Sequence, residues 1–227
     1  MSNKIKISVV IPVYNEEDSI KEVLDSLSGI NPFEIIVVDG GSIDNTVDIA
    51  KSKGAKIVIT NKGRGRQIKE GIKIAQGKLI LILHADTRLS PSIKNEDFML
   101  DKLYVAGFFK LKYKGGNLAA KVVELFANIR SWLHSLPYGD QAIFVKKEIL
   151  EHIGNVREYP FLEDVDLVLR LRRSGKIKFV NKPVFVSPRR LLKGGFFHPF
   201  FHSFKNFVIV ILFLMGVSPE RLIKYYK

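Results

Sequence analysis

The segment KLILILHADTR, from Lys78 to Arg88, constrains the fold more than any other part of the chain. Its five consecutive apolar residues, Leu79 to Leu83, form a run short enough to suit a strand that is buried on both faces of a parallel sheet. His84 and Asp86 follow at once, and open α/β sheets bind ligands beyond the carboxyl ends of their strands. The segment therefore predicts a ligand site at this strand end or, alternatively, a polar turn in which Asp86 caps the next element.

Strand-like and helix-like patterns alternate along the chain ahead of this segment. Apolar strands are predicted at Ile7 to Ile11, Phe33 to Val38 and Lys56 to Thr60, and helical spacing of apolar residues separates them. Such alternation predicts a parallel sheet with right-handed crossover helices. Each predicted strand ends in a polar or glycine-rich stretch, so these loops are expected on the one sheet edge where nucleotides bind.

The composition narrows the class of protein and the kind of partner. The 227 residues are 46% hydrophobic, which argues against disorder, and they carry a formal charge of +13. That charge implies an anionic partner, which could be a nucleic acid, a phosphorylated small molecule or an anionic membrane surface. Without cysteine there is no disulfide framework and no cysteine zinc site. The first residues lack the apolar core of a signal peptide, so we expect a cytoplasmic protein.

The pattern changes after Pro91. Residues 109–114 alternate apolar and lysine side chains, as in a half-exposed strand, and residues 162–171 predict a helix. Since no long linker interrupts the chain, we expect a single domain over residues 1–227, with a nucleotide-binding half (1–90), an acceptor half (91–190) and an apolar helical tail (191–227). A helical stripe accompanied by Trp132 is expected in the core; it comprises Val122, Phe126, Ile129, Leu133 and Leu136.

The tail supports two interpretations. Residues 207–217 are almost wholly apolar but too few to span a bilayer. The helix could pack on the domain, or it could contact a membrane surface or a lipid acceptor as a peripheral protein does. One helix face would carry Phe200, Phe201, Phe204, Phe207, Ile211 and Met215, with Lys193, Lys205, Arg221 and Lys224 nearby.

Two N-terminal motifs resemble the opening of the family 2 glycosyltransferases. They are VIPVYNEE at residues 10–17 and VVDGGSIDNT at residues 37–46. RGR at 64–66, HADT at 84–87, GDQAIF at 139–144 and the Glu163-Asp164 pair look like a small, single-domain bacterial and archaeal subgroup. The resemblance implies the α/β fold of GT-A type, in which helices flank a mostly parallel central sheet and the N-terminal half is Rossmann-like.

The resemblance also implies roles in binding a nucleotide-sugar donor, a UDP- or GDP-sugar. Pro12, Tyr14 and Glu16 would line the nucleotide pocket, and Asp39 would bind the base, uracil or guanine. From the residues alone, Asp39 could equally be a turn former before Gly40.

A basic loop is predicted at residues 61–67. In it Arg64 lies between two glycines and Arg66 follows the second, on the expected ligand edge. These arginines, or Arg88, could help a metal at Asp86 to neutralise the diphosphate. The alternative is a solvated basic turn.

Asp86 matches the last carboxylate of the family's Asp-x-Asp motif, which implies a divalent metal, Mn²⁺ or Mg²⁺, on the diphosphate. His84 replaces the first acid, and imidazole suits Mn²⁺ better than Mg²⁺. His84 and Asp86 are two residues apart. In a regular strand their side chains would point to the same side, so both could bind one ion.

Asp164 matches the family's general base, which activates the acceptor hydroxyl in an inverting transfer. Glu163 and Asp166 are the alternatives, and acids at a helix start also stabilise the helix dipole without any catalytic role. Asp140 and Gln141, together with Glu163, are expected on the acceptor side, and the acceptor itself could be small or lipid-linked. The competing functions are a nucleotidyltransferase and a basic nucleic-acid-binding module; for the latter, the scattered cations form no stripe with exposed aromatic residues.

Overall fold

The protein is described by a computed structural model covering residues 5–115, 117–188 and 198–226, apart from the side chains of His202 and Tyr226. Its strands are β1 (Ile7–Val13), β2 (Glu34–Asp39), β3 (Lys56–Ile59), β4 (Leu79–Ile82), β5 (Thr87–Leu89), β6 (Tyr104–Tyr113), β7 (Ile143–Lys146) and β8 (Lys176–Val186). They form one eight-stranded sheet in the order β3-β2-β1-β4-β7-β6-β8-β5.

Helices cover both faces of this sheet. They are α1 (Glu17–Ser26), α2 (Thr46–Ser52), α3 (Arg64–Ile74), α4 (Leu118–His134), α5 (Lys147–His152), α6 (Glu163–Ser174), α7 (His198–Leu214) and α8 (Pro219–Tyr226). Short 3₁₀ turns lie at Leu27–Gly29, Asn95–Phe98 and Gly139–Gln141.

The first half of the sheet is wholly parallel, as the alternation predicts. β1 pairs in parallel with β2 and β4, and β2 pairs in parallel with β3. Alternate residues of β1 enter opposite layers of the core: Val9 packs on the face that carries α1, whereas Val10 packs against Ile68 and Ile72 of α3. Because both faces are covered, these strands are continuously apolar rather than alternating.

The second half of the sheet is mixed, so the sheet is less parallel than expected. β7 runs antiparallel to β4 and to β6, whereas β6 and β8 are parallel. As a result, the carboxyl ends of β4, β6 and β8 and the start of β7 meet at the same edge. The short β5, which pairs antiparallel with β8, gave no sequence signal of its own.

Helix α4 corrects one prediction. Its apolar stripe was expected in the core, but Phe126, Ile129, Trp132 and Leu133 are exposed. The face of α4 that packs against β6 instead carries small and polar residues, because a close approach to the sheet leaves no room for large side chains. The buried residues of that face are Ala119, Ala120, Val123, Asn128 and Ser131.

The C-terminal helices pack against the start of α6. Ile209 and Val210 of α7 and Leu222 of α8 form a small cluster with Phe161 and Val165. This packing agrees with the first interpretation of the tail. The opposite side of α7 is exposed, and its contact with a membrane stays a prediction. Within the described parts of the chain, no helix combines the length and the apolar character needed to cross a membrane. Lys193 and the expected boundary between acceptor half and tail lie outside the described residues.

Candidate active site

A cavity of about 240 Å³ opens at the shared edge of β4, β6, β7 and β8. Acidic and basic side chains from five separate segments meet there. The histidine and the charged residues in its wall are Arg64, His84, Asp86, Arg130, Asp140 and Asp164. All of these except Arg130 were predicted as site residues from the sequence.

His84 and Asp86 lie in a turn, not in a regular strand. β4 ends at Ile82, and the Thr87 main-chain N–H donates to the His84 carbonyl oxygen across 3.0 Å. The prediction that His84 and Asp86 point to the same side because they lie in a regular strand is therefore wrong. Both side chains nevertheless line the cavity. The Asp86 carbonyl accepts from Ser187 N–H at the end of β8, which fixes the turn against the second half of the sheet.

Gly139 leaves room for His84. A Cβ atom at position 139 would lie 2.5 Å from the His84 ring, so the loop before β7 can approach the imidazole only with glycine there. The Gly139 N–H also donates to Asp164 Oδ2 across 2.8 Å. This loop thus joins the end of β4 to the start of α6.

The three acids at the start of α6 have different environments. Asp164 lines the cavity and makes no ion pair among the described residues. Glu163 is buried and paired with Arg64, and burial raises the pKa of its carboxyl although the guanidinium opposes that rise. Asp166 is also buried, and it pairs with Arg157 at 3.1 Å and with Arg170 at 2.7 Å.

Asp140 is the carboxylate with the most altered proton affinity in the cavity. Removal from water raises its pKa to about 6, and the negative charges of Asp164 and Asp86 add to the rise. Arg130 and Arg64 oppose it. Asp140 therefore changes its charge near neutral pH.

Arg130 was not recognised from the sequence. It projects from α4 into the cavity, and its guanidinium stacks on the Tyr138 ring at 3.6 Å from the centroid. The Nε atom of Arg130 is buried without a hydrogen-bond partner among the described residues. The available signal was a charged residue beside the apolar stripe of a helix. It was missed because that stripe was predicted to lie in the core.

A second set of residues lies beside this cavity, at the ends of β1 and β2. The Asp39 carboxylate is buried and accepts from the main-chain N–H groups of Gly41 and Ser42, so it shapes the glycine loop. Asn15 N–H donates to Ser42 Oγ, and the Asn15 side chain accepts from Ile43 N–H. The loops after β1 and β2 are thereby held as one unit.

The other predicted nucleotide-pocket residues surround the same loops. Pro12 is buried within β1, and Tyr14 is exposed with the Lys62 ammonium 3.6 Å from its ring centroid. Glu16 precedes α1, and its main-chain N–H donates to Thr46 Oγ1. These contacts bring the residues to one sheet edge, as predicted from the carboxyl ends of the strands.

Gln67 is a further residue that the sequence analysis left without a role. Its side-chain amide donates to the Val13 and Val38 carbonyls at 2.7 and 2.8 Å, and its oxygen accepts from Gly63 N–H. It therefore ties the ends of β1 and β2 to the loop before α3. A single glutamine in a basic segment gives no sequence signal for such a position.

Only residues 61–63 of the predicted basic loop are a loop, and residues 64–67 form the first turn of α3. Arg64 lines the cavity, whereas Arg66 pairs with Glu158 at 2.9 Å. A Cβ atom on Gly65 would lie 2.4 Å from the Arg157 carbonyl oxygen, so glycine permits the close contact with that loop. Arg88 points away from the cavity and pairs with Glu22.

Gln141 is completely buried and does not line the cavity. Its amide oxygen accepts from Ser131 Oγ at 2.5 Å, and its nitrogen donates to the Phe109 carbonyl. The side chain thus anchors the loop that carries Gly139 and Asp140 to α4 and β6.

The cavity could hold a divalent ion only together with a ligand. Among residues 5–115, 117–188 and 198–226, no three histidine or acidic side chains come together as a metal site. An ion on a diphosphate needs one or two protein ligands, since phosphate oxygens and water complete its coordination. Asp86 and His84 in the cavity wall fit that requirement.

Residues 8–99 match the family described as Glycosyl transferase family 2. The poly(ribitol-phosphate) beta-glucosyltransferase of Bacillus spizizenii is 42% identical over 94 residues, which cover 36% of this chain and 15% of that protein. The dolichol-phosphate mannosyltransferase of Pyrococcus furiosus is 31% identical over 122 residues, which cover 45% of this chain and 34% of that protein. The chain thus spans no more than about a third of either relative.

Two solved structures share the fold. S. aureus TarS, residues 1–349, superposes with a TM-score of 0.66 at 19% identity, over 98% of this chain and 69% of that one. Glucosyl-3-phosphoglycerate synthase from Mycobacterium tuberculosis, in complex with Mn²⁺, UDP-glucose and phosphoglyceric acid, has a TM-score of 0.57 at 21% identity, over 79% of this chain and 70% of that one. The fold expected from the sequence is confirmed.

Proposed function

Since residues 8–99 match glycosyl transferase family 2, we propose that the chain belongs to this family and transfers a sugar from a nucleoside diphosphate sugar to an acceptor hydroxyl, with inversion at the anomeric carbon. One observation supports this most strongly. Of the three acids at the start of α6, Asp164 faces a cavity that also contains Asp86, while Glu163 and Asp166 are paired with arginines. A single displacement needs such an arrangement, with a base on one side and a diphosphate site on the other.

The donor nucleotide would bind at the ends of β1 and β2. Tyr14 and the loop shaped by Asp39 would hold the base and ribose, with Pro12 and Glu16 beneath them. Because Asp39 already accepts two main-chain hydrogen bonds, its contribution to base binding includes holding the Gly40 to Ser42 loop in place. Residues 1–90 would thus form the nucleotide half and residues 91–190 the acceptor half, with the cavity between them.

The diphosphate would lie near Asp86 and His84. These two residues would hold a divalent ion, Mn²⁺ or Mg²⁺, which neutralises the leaving group when bound. The M. tuberculosis synthase was crystallised with Mn²⁺ and UDP-glucose, which supports this choice of ligand. Arg64, oriented by its ion pair with Glu163, would add a positive charge on the same side. Arg66 would contribute only after leaving Glu158.

Transfer itself would use Asp164. The acceptor oxygen attacks the anomeric carbon and its proton passes to the Asp164 carboxylate, while the bond from that carbon to the diphosphate oxygen breaks. The Gly139 N–H orients the carboxylate by its hydrogen bond to Oδ2. Asp140 and Arg130, in the same wall, would contact the acceptor.

The acceptor would be lipid-linked. Names of two relatives refer to phosphate-bearing acceptors, poly(ribitol-phosphate) and dolichol-phosphate, and the second of these is a lipid. The apolar α7 forms part of the cavity wall through Ile209 and Val210, which suits an acceptor with an apolar chain. The protein would act in the cytoplasm in peripheral contact with a membrane.

A thermal-shift panel tests this function. The protein is mixed with UDP-, GDP- and dTDP-sugars or with the corresponding nucleoside triphosphates, each with Mn²⁺, Mg²⁺ or a chelator. A donor at 100 times its Kd stabilises the folded state by about 2.7 kcal/mol. Stabilisation by one diphosphate sugar and a divalent ion is the expected result. Stabilisation by nucleoside triphosphates alone would indicate a nucleotidyltransferase instead.

A further inference from the structure

Helix α4 exposes a continuous apolar face to solvent. Large apolar side chains recur along it at spacings of three and four residues, which places them on one side of a helix. Between 41% and 66% of each is exposed, and they are Leu125, Phe126, Ile129, Trp132 and Leu133. The packing of α4 on β6 leaves this face without any partner in the described part of the chain.

Helix α7 exposes a second apolar face. Its inner side packs through Ile209 and Val210, yet apolar residues continue around the helix. Those on the outer side are 39% to 71% exposed, and they are Phe201, Phe204, Phe207, Ile211 and Leu214. A helix that is apolar all round normally has partners all round.

The two helices that carry these exposed faces lie next to each other, and both border the cavity. α4 and α7 are in direct contact. Their inner sides both enter the cavity wall, through Val123, Ala127 and Arg130 from α4 and through Ser203, Asn206 and Ile209 from α7. We call the ten exposed residues named above the α4–α7 surface. Contiguous apolar patches of this extent mark an interaction site rather than ordinary surface.

The charges around the α4–α7 surface favour an anionic partner. Apart from Arg130, which faces the cavity, the helices α4, α7 and α8 carry Lys121, Lys205, Arg221 and Lys224. Their acidic residues are Glu220 and Glu124, and the latter is engaged with the Tyr113 main-chain N–H of β6.

A second copy of the chain would be a poorer partner than an anionic surface. The two copies would each bring a formal charge of +13, and like charges repel. Aromatic residues beside lysine and arginine are the composition of helices that lie in the interface of an anionic bilayer.

We propose that the α4–α7 surface docks on an anionic lipid bilayer, with both helices lying in the interface and the cavity opening beside them. This assigns α4, and not the tail alone, to the membrane. The placement of the cavity at the bilayer deepens the proposed function, since a lipid-linked acceptor could then reach Asp164 without leaving the membrane.

The tryptophan of α4 provides a direct measurement on the full chain. Trp132 is the only tryptophan in the sequence, so its fluorescence reports on this surface alone. Vesicles of phosphatidylcholine with phosphatidylglycerol should shift the Trp132 emission to shorter wavelength, and lipids brominated on the acyl chain should quench it. Pure phosphatidylcholine vesicles should bind more weakly, and added salt should weaken binding to the anionic vesicles.

Flotation of variants separates the two helices. Phe126→Ser on α4 and Phe204→Ser on α7 should each lower the partition coefficient roughly tenfold, because each removes a large side chain from the apolar phase. Met99→Ser and Leu103→Ser are the matched controls. These residues are 60% and 63% exposed, so they match the two phenylalanines in exposure. They precede the start of β6, whereas the cavity lies at the carboxyl end of this strand. Their variants should therefore float like the wild-type protein.

Three results would overturn the proposal. The emission of Trp132 could stay unchanged with anionic vesicles at low salt, or the control variants could lose as much binding as Phe126→Ser. Sedimentation could instead show a dimer whose dissociation on dilution shifts the Trp132 emission, and the surface would then be a protein interface. Vesicle binding needs no donor or acceptor, so its failure is distinct from failure of the proposed sugar transfer.

Discussion

The main-chain N–H of Gly139 donates a 2.8 Å hydrogen bond to Asp164 Oδ2, although the two residues are 25 positions apart. Gly139 also lies directly against the His84 ring. One residue thus contacts the group assigned to the diphosphate side and the carboxylate assigned to the acceptor side. The donor is a main-chain group, so this hydrogen bond to Asp164 needs no side chain at position 139.

Asp164→Asn should lower kcat by roughly 10²–10⁴-fold with donor affinity near that of the wild-type protein. The amide oxygen can still accept from Gly139 N–H, so the shape is kept while the basicity is lost. Steady-state kinetics and calorimetric titration of the donor make the measurement.

Glu163→Gln and Asp166→Asn are the controls for this variant. Both residues are buried and paired with arginine, so their loss should lower the melting temperature. Normal turnover by Asp164→Asn would remove Asp164 from the role of base. So would a Glu163→Gln variant that loses turnover while it still binds donor.

Asp39→Ala should weaken UDP or GDP binding about tenfold or more while the protein stays folded. The change removes the acceptor for Gly41 and Ser42 N–H, and hydrogen bonds to charged groups are strong enough for that effect. Titration calorimetry measures the affinity. Asp48→Ala, an exposed position on α2, is the control and should bind normally. Unchanged affinity in a folded Asp39→Ala protein would exclude Asp39 from nucleotide binding.

Donor binding should be stronger with Mn²⁺ than with Mg²⁺, because imidazole is a better ligand for Mn²⁺. Asp86→Asn should weaken metal-dependent donor binding by about tenfold or more and should do so more than His84→Ala, since the carboxylate carries the charge. Donor titrations in each metal and in chelator provide the comparison. Equal binding in chelator would mean that Arg64 and other cations alone neutralise the diphosphate.

Asp140 should make stability depend on pH in the metal-free protein. Its carboxyl has a pKa of about 6 in the folded protein, against an ordinary value of 3.8, so the folded state binds this proton more tightly than the unfolded chain does. The free energy of unfolding should therefore fall as pH rises from about 4 to about 6. Above pH 6 this loss of stability should be complete and stay constant.

Asp140→Asn removes the carboxylate and with it the loss of stability that its ionisation causes. We expect the variant to be more stable than the wild-type protein at pH 7.5, by roughly 1–3 kcal/mol, and little different at pH 4. Chemical denaturation in the presence of a chelator measures both values. A variant that is less stable at pH 7.5 would contradict the raised pKa.

Local signals were sufficient for the framework of the fold. Short apolar runs followed by glycine and aspartate predicted β1, β2 and β4 and the sheet edge where Asp39 and Asp86 lie, because burial on both faces and turn formation are local properties. The motif resemblance supplied the family and named Asp164. A short strand at Ala142 to Val145 was predicted and is β7, but its antiparallel pairing and the short β5 were not predicted, since strand pairing depends on residues far away in the sequence.

Only the tertiary structure decided which side each side chain faces. Neighbouring acids on α6 have the same sequence signal, yet of Glu163, Asp164 and Asp166 only Asp164 lines the cavity. The other two are paired with Arg64, Arg157 and Arg170. Trp132 on α4 matched the pattern of a core residue and is exposed. Periodicity gives the spacing of apolar residues along a helix, but which of its faces is buried depends on where the rest of the chain packs.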